Sequence, residues 1–563
     1  MSPSSISRER NQRVVSSMLW AAWADAVGFV SELTDEAGLK RRLRGRVLTE
    51  PVEWVRRVGG RFGVDARLPA GCYSDDTQLR LATGRSISGH GFDVEAFARV
   101  ELTVWPSYAL GGGRASKAAA ANLTKQNTPW FGNFFEGWFN AGGNGVAMRI
   151  QPHVWSAPRP ATLGPHILDV ILNGVTTHGH PRALVGGVLH ALALGWTLEN
   201  GTVPKLGELP DLLNMTNRAV GLLDEHMQLA SLWRPSWEAA TGSSFAEAWH
   251  RTVQECADLS TAAQAACEGA SSPEAGYAAL VEALHLKEPN QRGSGTATTV
   301  AAMALAAMLP NDPVAVTLLA SLSLGTDTDT IATMAAALVG ASVTQVPATP
   351  VLDADYMSNE ASRFASLSAG EAAAAFSYPD LLHWTPPRSQ LDVVGLIGGQ
   401  TVLGGLGWIQ LMPGSKPHES KDGLWQWVIS DFGPSFFVKR RHELRTLPEG
   451  NRPARRRQIL SPSRAEQPGV RVEVPRELQP VSKVRGSVEA KRQRPTEAMA
   501  HNRAPRVDDD GPPIDIDQMF GWVAKRQFAD EAVGYAVRRI SEVGTMEQLA
   551  SFATAIRSHI RGR

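Results

Sequence analysis

The sequence predicts a mainly helical protein with a small β module and a short helical element after it. Residues from about 10 to 385 are dense in alanine and leucine, and their apolar residues recur at three- and four-residue spacing. Residues 390–447 change to glycine pairs and short β-rich runs, and residues 513–563 return to a helical period. A chain of 563 residues is long enough for several domains.

The helical period is clear in several stretches of residues 10–385. The spacing of Val14 and Met18 shows it near the start, and residues 181–198 and 330–341 show it further along. Alternating β patterns are scarce in this region. We therefore expect one compact all-α domain that ends near residue 385.

The β module is predicted from three runs rich in aromatic and β-branched residues. They are Trp408–Leu411, Trp425–Ile429 and Ser435–Val438, and glycine pairs lie before them. An SH3-like barrel would fit the length of residues 390–447, but no motif identifies that fold. The module, or the helices after it, could bind a protein partner.

Residues 448–512 are predicted to be a disordered basic linker, because they are rich in Pro, Arg, Glu and Ser and poor in aromatic residues. Between Lys439 and Arg506, Lys and Arg outnumber Asp and Glu by about 11. Such a segment could make a weak electrostatic contact with nucleic acid. A solvated flexible tether explains the same composition equally well.

The bulk composition excludes several classes of protein. A formal net charge of +0 gives no global field for nucleic acid or membranes. Cys72, Cys256 and Cys267 have no paired spacing, which disfavours a disulfide framework or a thiolate zinc site and suits a reducing cytoplasm. The N-terminus shows no apolar signal region, and the run Val300–Leu309 is too short to span a bilayer. We expect a cytoplasmic protein that does not enter a membrane.

Two short acidic motifs carry the main functional signal: Ser74–Thr77 and Thr326–Thr330. Each lies where a loop is expected to turn into a helix. Serine, threonine and aspartate there could simply be helix caps. Each motif nevertheless has more acids than capping requires. Carboxylate and hydroxyl oxygens are the ligands that Mg²⁺ and Mn²⁺ prefer, so the two motifs could form one two-metal site.

With these motifs the chain resembles the ADP-ribosylglycohydrolase family, which includes the dinitrogenase reductase-activating glycohydrolase. The resemblance covers about residues 10–345 and leaves out the β module, the linker and the tail. Six landmarks occur in the order of the family: Trp23–Gly28 followed by Glu32, Ser74–Gln78, Gly111–Gly113, Gly143–Arg149, Thr177–Pro181 and Gly325–Thr330.

The resemblance implies an all-α catalytic domain with two Mg²⁺ ions, for which Mn²⁺ could substitute. Its substrate would be an ADP-ribosyl group on a protein, nucleic acid or small molecule, cleaved at ribose C1″. The implied metal ligands are Ser74, Asp75, Asp76, Asp327, Asp329 and Thr330. The implied catalytic residues are Glu32, Asp76 and Asp329. The implied substrate-binding residues are Gly112, Gly113, Asn144, Gly145, Met148, Arg149 and His178.

The sequence also departs from the pattern of the family. Thr326 stands where glycine is common, and no carboxylate precedes the Asn144–Gly145 turn, which argues against specificity for an arginine conjugate. His178 could contact substrate or pack at its turn, and Arg149 could be a paired arginine beside a turn. A second hypothesis is therefore a weakly active or inactive scaffold that binds ADP-ribose or a nucleotide in a multi-component defence or regulatory system.

Overall fold

The fold is that of a computed structural model, which describes residues 3–60, 63–125, 128–454, 515–526, 528–544 and 546–561. The chain divides into two compact units, one within residues 1–460 and the other within residues 461–563. The first unit holds most of the helices and all strands of the described part. The predicted fold class, helical with a β module and terminal helices, is confirmed.

Helices α1 to α17 belong to the first unit, and α18 to α20 to the second. In chain order they are α1 Pro3–Ser31, α2 Glu36–Arg42, α3 Asp75–Arg85, α4 Val94–Ala96, α5 Leu102–Val104, α6 Arg114–Leu123, α7 Gln151–Trp155, α8 Pro165–Val175, α9 Pro181–Asn200, α10 Leu209–Arg218, α11 Arg234–Thr241, α12 Phe245–Cys267, α13 Pro273–Ala283, α14 Gly295–Met308, α15 Pro313–Leu322, α16 Thr328–Ser342, α17 Ala354–Ser368, α18 Ile516–Ala524, α19 Asp530–Val543 and α20 Met546–Arg561. The helices predicted over residues 181–198 and 330–341 are confirmed as α9 and α16.

The strands form three antiparallel sheets. They are β1 Trp54–Val58, β2 Val64–Leu68, β3 Ile87–Ser88, β4 Gly91–Phe92, β5 Val394–Ile397, β6 Gln400–Leu403, β7 Gly407–Leu411, β8 His418–Ser420, β9 Gly423–Ser430 and β10 Ser435–Arg440. Strands β1 and β2 form one hairpin, and β3 and β4 another. The first hairpin was not predicted, because each of its strands alternates over only five residues.

The core of the first unit is built around α1. This helix packs mainly on α16 and also on α15 and α17, and α14 lies against α16 and α9. Within α1, Arg8–Ser31 is the one described segment long and apolar enough to cross a bilayer, but 94% of its apolar window is buried in the fold. Such burial is typical of a core helix. The cytoplasmic location stays a prediction.

The β module is a curled sheet of strand order β10-β9-β7-β6-β5, with β8 also paired to β9, on the same edge as β7 but at the other end of the strand. The three predicted runs are confirmed as β7, β9 and β10. The SH3-like barrel itself stays a prediction. The module shares the core of the helical domain: the Phe436 ring lies 4.6 Å from that of Tyr108, and Ser435 Oγ donates to Asp353 at 2.9 Å. It is therefore packed against the helices.

The segment that follows the module begins as part of it. Asn451 is buried, and its side chain exchanges hydrogen bonds with the backbone of Thr385. The start of the predicted linker at residue 448 therefore falls too early. The rest of that linker, and any contact it makes with nucleic acid, lies in residues 455–514, outside the described residues.

The second unit has its own small core, formed by α18, α19 and α20. The buried side chains there are Met519, Val523, Ala536, Ile540, Phe552 and Ile556. Val537, which the helical period also selected, is 38% exposed. The predicted helical element is thus a three-helix unit in the described part of the chain.

Candidate active site

The two acidic motifs meet at one cavity of about 930 Å³ in the helical domain. Asp75 and Asp76 begin α3, while Asp327, Asp329 and Thr330 lie at the start of α16. All five line this cavity together with Glu32 from the end of α1. Residues about 250 positions apart are thereby brought together, as the sequence predicted.

The first motif is fixed by a buried carboxylate on α1. Asp25 is fully buried, and its two oxygens accept hydrogen bonds from the backbone N–H groups of Ser74 and Thr77, both at 3.0 Å. These groups are donors that a helix start leaves unpaired. Asp25 therefore holds the start of α3 in place.

Ser74 is the N-cap of α3. Its Oγ accepts a hydrogen bond from the backbone N–H of Asp76 at 3.1 Å, and the side chain is fully buried outside the cavity lining. The capping hypothesis is thus correct for Ser74. In this orientation its hydroxyl does not face the cavity, so the structure gives no support for Ser74 as a metal ligand.

Asp75 and Asp76 are buried carboxylates at the wall of the cavity. Burial and the neighbouring charges of Glu32 and Asp25 raise the pKa of Asp75 to about 7. Burial, then Asp25 and Asp75, raise the pKa of Asp76 well above its usual value. Asp76 Oδ2 has no hydrogen-bond partner in the described part of the chain. A buried, unpaired carboxylate oxygen is costly unless a cation or proton compensates it.

The second motif is held by close packing against α1. A Cβ on Gly28 would lie 2.5 Å from Asp329 Cα and 2.6 Å from the Thr328 carbonyl oxygen. Thr328 Oγ1 in turn donates to the Gly28 carbonyl oxygen at 3.0 Å. Only glycine lets the two segments approach this closely. Gly28 therefore sets the position of the loop that carries Asp327 and Asp329.

The two aspartates of this loop differ in their surroundings. Asp329 is buried, and burial followed by the charges of Glu32 and Asp76 raises its pKa well above the usual value. Asp327 is half-buried and is the N-cap of α16, but its side chain makes no capping hydrogen bond. Its Oδ2 instead accepts from Asn144 Nδ2 at 2.9 Å.

Asn144 is held in place by the protein. Its Nδ2 also donates to Thr298 Oγ1 at 3.2 Å, and its backbone N–H donates to the Gly293 carbonyl oxygen at 2.9 Å. Both N–H bonds of the side-chain amide are thus directed at protein acceptors. Asn144 lines the cavity, but these contacts make it first a positioning residue for Asp327.

Glu32 lies in an ion pair at the cavity wall. Its Oε2 accepts from Arg56 Nη1 at 2.8 Å, and the Arg56 guanidinium lies 4.2 Å from the centre of the Phe29 ring. Burial raises the pKa of Glu32, while Arg56 opposes this shift and Asp327 adds to it. A carboxyl with a raised pKa beside a cation suits proton transfer near neutral pH. For Glu32 to accept a proton, its ion pair with Arg56 must weaken or break.

Arg149 lies behind the cavity wall. It is fully buried, and its guanidinium donates to Asn173 Oδ1 at 2.8 Å, to the Gly145 carbonyl oxygen at 2.9 Å and to Thr177 Oγ1 at 2.8 Å. The described hydrogen bonds of Arg149 all go to protein groups, and its role in substrate binding stays a prediction. These bonds brace the Gly145 turn.

The cavity lining includes His178, Met148, Gly145, Gly112 and Gly113, and their contact with substrate stays a prediction. His178 Nδ1 lies 2.7 Å from Thr177 Oγ1, and burial lowers its pKa to about 3. A Cβ on Gly145 would lie 2.9 Å from His178 Cε1. His178 is therefore a neutral ring packed against the glycine turn.

Several basic residues that the sequence did not single out also line the cavity: Arg56, Arg114, Lys117, Arg182 and Arg292. Lys117 and Arg114 follow the glycine run and belong to the first turns of α6. Glycines before a helix start with nearby cations are a recognised anion-binding pattern, so Lys117 could have been found from sequence. Arg56 could not, because it depends on the unpredicted hairpin.

The donor set of this cavity fits divalent cations in its chemistry. Asp75, Asp76, Asp327, Asp329 and Thr330 offer hard oxygen ligands, and the unpartnered Asp76 Oδ2 calls for positive charge. Within the described residues, however, no group of three His, Cys, Asp or Glu side chains converges on a single ion position. Oxygens of substrate, water or Thr330 would have to complete the coordination.

Comparison with known proteins identifies a family. The family model described as ADP-ribosylglycohydrolase matches residues 6–370. A solved structure described as "ADP-ribosylglycohydrolase-related protein complex" is 21% identical, covers 64% of this chain and 99% of its own, and has a TM-score of 0.39. No curated protein matches the chain.

Proposed function

Because the chain belongs to the ADP-ribosylglycohydrolase family, we propose that it hydrolyses the bond at ribose C1″ of an ADP-ribosylated compound and releases ADP-ribose. Family membership supports a glycohydrolase of ADP-ribosyl compounds. The observation that carries the finer proposal is the meeting of Asp75 and Asp76 with Asp327 and Asp329 in one cavity.

The cavity lining combines carboxylates with a glycine loop and basic side chains, and an ADP-ribose combines a ribose with a diphosphate. The carboxylates suit a ribose whose hydroxyls are held through cations or hydrogen bonds. The glycine loop Gly111–Gly113 with Lys117 and Arg114 suits a diphosphate, since backbone N–H groups and cations stabilise phosphate oxygens. A volume of about 930 Å³ is adequate for such a ligand.

The residues that would hold Mg²⁺ or Mn²⁺ are Asp75, Asp76, Asp327, Asp329 and Thr330. When bound there, the ions would supply Lewis acidity toward ribose oxygens and water. Buried carboxylates beside C1″ would also stabilise the positive charge that develops as the glycosidic bond breaks. Glu32 would accept the proton of the attacking water, and its raised pKa makes it a better base than an exposed glutamate.

One contact favours the alternative of a binding protein without turnover. The Glu32 carboxylate is paired with Arg56, which lowers its basicity and competes with a water for its oxygen. If this ion pair persists with ligand bound, the cavity would hold ADP-ribose without cleaving its conjugates. The same protein would then sense ADP-ribose or a nucleotide.

The test is the release of free ADP-ribose from a panel of arginine, serine, nucleic-acid and small-molecule conjugates. We expect Mg²⁺-dependent release from at least one conjugate, and its loss in Asp75→Ala and Asp329→Ala. Asp211→Ala, which removes an exposed aspartate from α10, is the matched control and should retain full activity. Full turnover in a folded Asp329→Ala protein would refute the two-metal proposal. Tight binding of ADP-ribose without any turnover would favour the sensor.

A further inference from the structure

A second cavity of about 510 Å³ lies beside the acidic one. Its walls come from the β1–β2 hairpin, from the segment around α5 and α6, and from the β module with the segment that enters it. Arg56, Gly111 and Lys117 line both cavities. The two cavities therefore share a wall, and the second exists only because the β module is packed on the helical domain.

The second cavity is strongly cationic. Its described lining contains five basic residues and no aspartate or glutamate: Arg56, Arg57, Lys117, Arg388 and Lys439. Three of these five cations pair with carboxylates outside the lining: Arg56 with Glu32 at 2.8 Å, Arg57 with Asp65 at 3.2 Å and Lys439 with Asp422 at 3.3 Å. A concave surface of low dielectric that collects charge of one sign focuses the field and attracts a counter-ion.

Trp425 forms part of the wall that the β module supplies. It is buried, and a Cβ on Gly59 would lie 2.8 Å from its Cζ2 and 3.4 Å from its Cε2. Its Nε1–H, on that same edge, has no hydrogen-bond partner in the described part of the chain. A buried donor left without an acceptor is unfavourable. If the backbone at Gly59 moved slightly, this N–H could donate a hydrogen bond to an anion in the cavity.

Charge, and not base stacking, must provide recognition here. One face of the Trp425 ring lies against Phe437, whose centre is 5.6 Å away, and Lys439 Nζ lies 5.6 Å from the ring centre. Neither arrangement leaves an open aromatic face for a nucleobase. With three of the five cations in ion pairs, Lys117 and Arg388 remain, and their charge matches a phosphate, which carries up to two charges and several acceptor oxygens.

We propose that this second cavity binds a phosphate group that belongs to the acceptor from which ADP-ribose is removed. Its position as an acceptor subsite rests on the proposed function, because the shared wall places it next to the acidic cavity. The β module then supplies a wall of the substrate site through Trp425 and Lys439, and Arg388 lies on the segment that leads into the module. Part of this site, with Arg388, Trp425 and Lys439, lies outside the residues matched to the family.

Binding is tested with inorganic pyrophosphate titrated calorimetrically into the full chain, with ADP-ribose at saturation so that the acidic cavity is filled. We expect one site, weakened at least about tenfold in Arg388→Gln and in Lys439→Gln, which corresponds to the loss of about 1.4 kcal/mol per variant. Lys416→Gln removes the same charge from an exposed position of the module outside the cavity and should leave the affinity unchanged.

Absence of pyrophosphate binding, or equal affinity in Arg388→Gln and the wild type, would overturn the proposal. Arg388 is exposed on a loop, so its variant keeps the test valid even if Lys439→Gln fails to fold. Because this titration requires no turnover, it can succeed or fail independently of the proposed hydrolysis.

The source of the phosphate is tested with two ADP-ribosylated oligonucleotides that differ only in a terminal phosphate next to the modified position. We expect the phosphate to lower KM in the wild type and to have no such effect in Arg388→Gln, with kcat similar for both substrates. Pyrophosphate binding at the site combined with equal KM values would show a site for free phosphate and would overturn the acceptor role.

Discussion

The two acidic motifs are alike in sequence but are held in place by different means. The Ser74–Thr77 motif is fixed by polar bonds, from Asp25 to two backbone N–H groups and from Ser74 to a third. The Thr326–Thr330 motif is fixed by packing, through the close approach of Gly28, and by the bond from Asn144. Both anchors, Asp25 and Gly28, belong to α1.

This difference shows how one helix can set the geometry of a site assembled from distant segments. Asp25 and Gly28 are three positions apart, so they lie on adjacent faces of α1 and can reach both motifs. All four residues of the first motif are buried. The second keeps a half-buried carboxylate, Asp327, whose orientation depends on a side chain from another loop. The following variants test whether the two motifs are anchored in these different ways.

The largest effect is expected from the carboxylates themselves. Asp76→Asn should lower kcat by on the order of 10²- to 10³-fold, because the Lewis acidity that its ligand set supports is worth several kcal/mol. Asp327→Asn should lower kcat by a smaller factor, because Asp327 is half-buried and its carboxylate already accepts a hydrogen bond from Asn144. The measurement is ADP-ribose release at saturating Mg²⁺. A larger loss in Asp327→Asn than in Asp76→Asn would contradict the ranking.

The same Asp76→Asn variant should stabilise the protein when metal is removed with a chelator. The folded-state pKa of Asp76 is raised above the unfolded value, so the folded state binds more protons and loses stability as the pH rises past about 3.9. The amide of Asp76→Asn does not titrate, so the variant does not lose this stability as the pH rises. The gain in Tm over the wild type should therefore be larger at pH 8 than at pH 5, and a fall in Tm at both pH values would contradict the unpaired charge.

The packing anchor is tested by Gly28→Ala. The added methyl group would overlap the backbone of Thr328 and Asp329, and overpacking of this kind costs about 1–3 kcal/mol. The free energy of unfolding from urea titration gives the measurement, with loss of Mg²⁺ binding as the second readout. Gly221→Ala is the control, since a Cβ there meets no atom within 4 Å and should leave stability nearly unchanged.

The polar anchor is tested by Asp25→Asn. One of the two backbone N–H groups, of Ser74 or Thr77, would face an amide nitrogen, and an unsatisfied buried donor costs about 1–3 kcal/mol. Mg²⁺ affinity should fall as well, although Asp25 is not proposed as a ligand. Unchanged unfolding and unchanged Mg²⁺ affinity would show that α3 does not need this anchor.

The smallest effect is expected from Asn144→Ala. It removes the hydrogen bond to Asp327 Oδ2 and should cost about 1 kcal/mol of stability. Because Asp327 would lose its orientation, KM for the conjugate or the Mg²⁺ requirement should rise more than stability falls. If Asn144→Ala and the wild type had the same stability, KM and Mg²⁺ requirement, Asn144 would not position Asp327.

Much of this arrangement could be predicted from the sequence. The acids and glycines are local patterns, so the motifs that begin α3 and α16, the strands β7, β9 and β10, and the family itself were all accessible. From the sequence, Gly28 could be recognised only as the last residue of the Trp23–Gly28 motif. Its physical reason, the approach of α1 to the Asp329 backbone, requires the fold.

Other parts depend on contacts between distant segments. The family resemblance implies a substrate role for Arg149, but only the fold shows that its side chain turns inward to Asn173 and Thr177. Arg56 reaches the site through a hairpin whose alternation is too short to recognise. The second cavity could not be predicted, because three separate segments and the packed β module form it.

The most direct test of the central claim is a calorimetric titration of Mg²⁺ into the wild type, Asp76→Asn, Asp329→Asn and the double variant. If the two motifs form one cation centre, the losses in binding free energy should be strongly non-additive, with each single variant losing most of what the double variant loses. Additive losses, or Mg²⁺ binding that persists in the double variant, would show that the motifs do not act as one site.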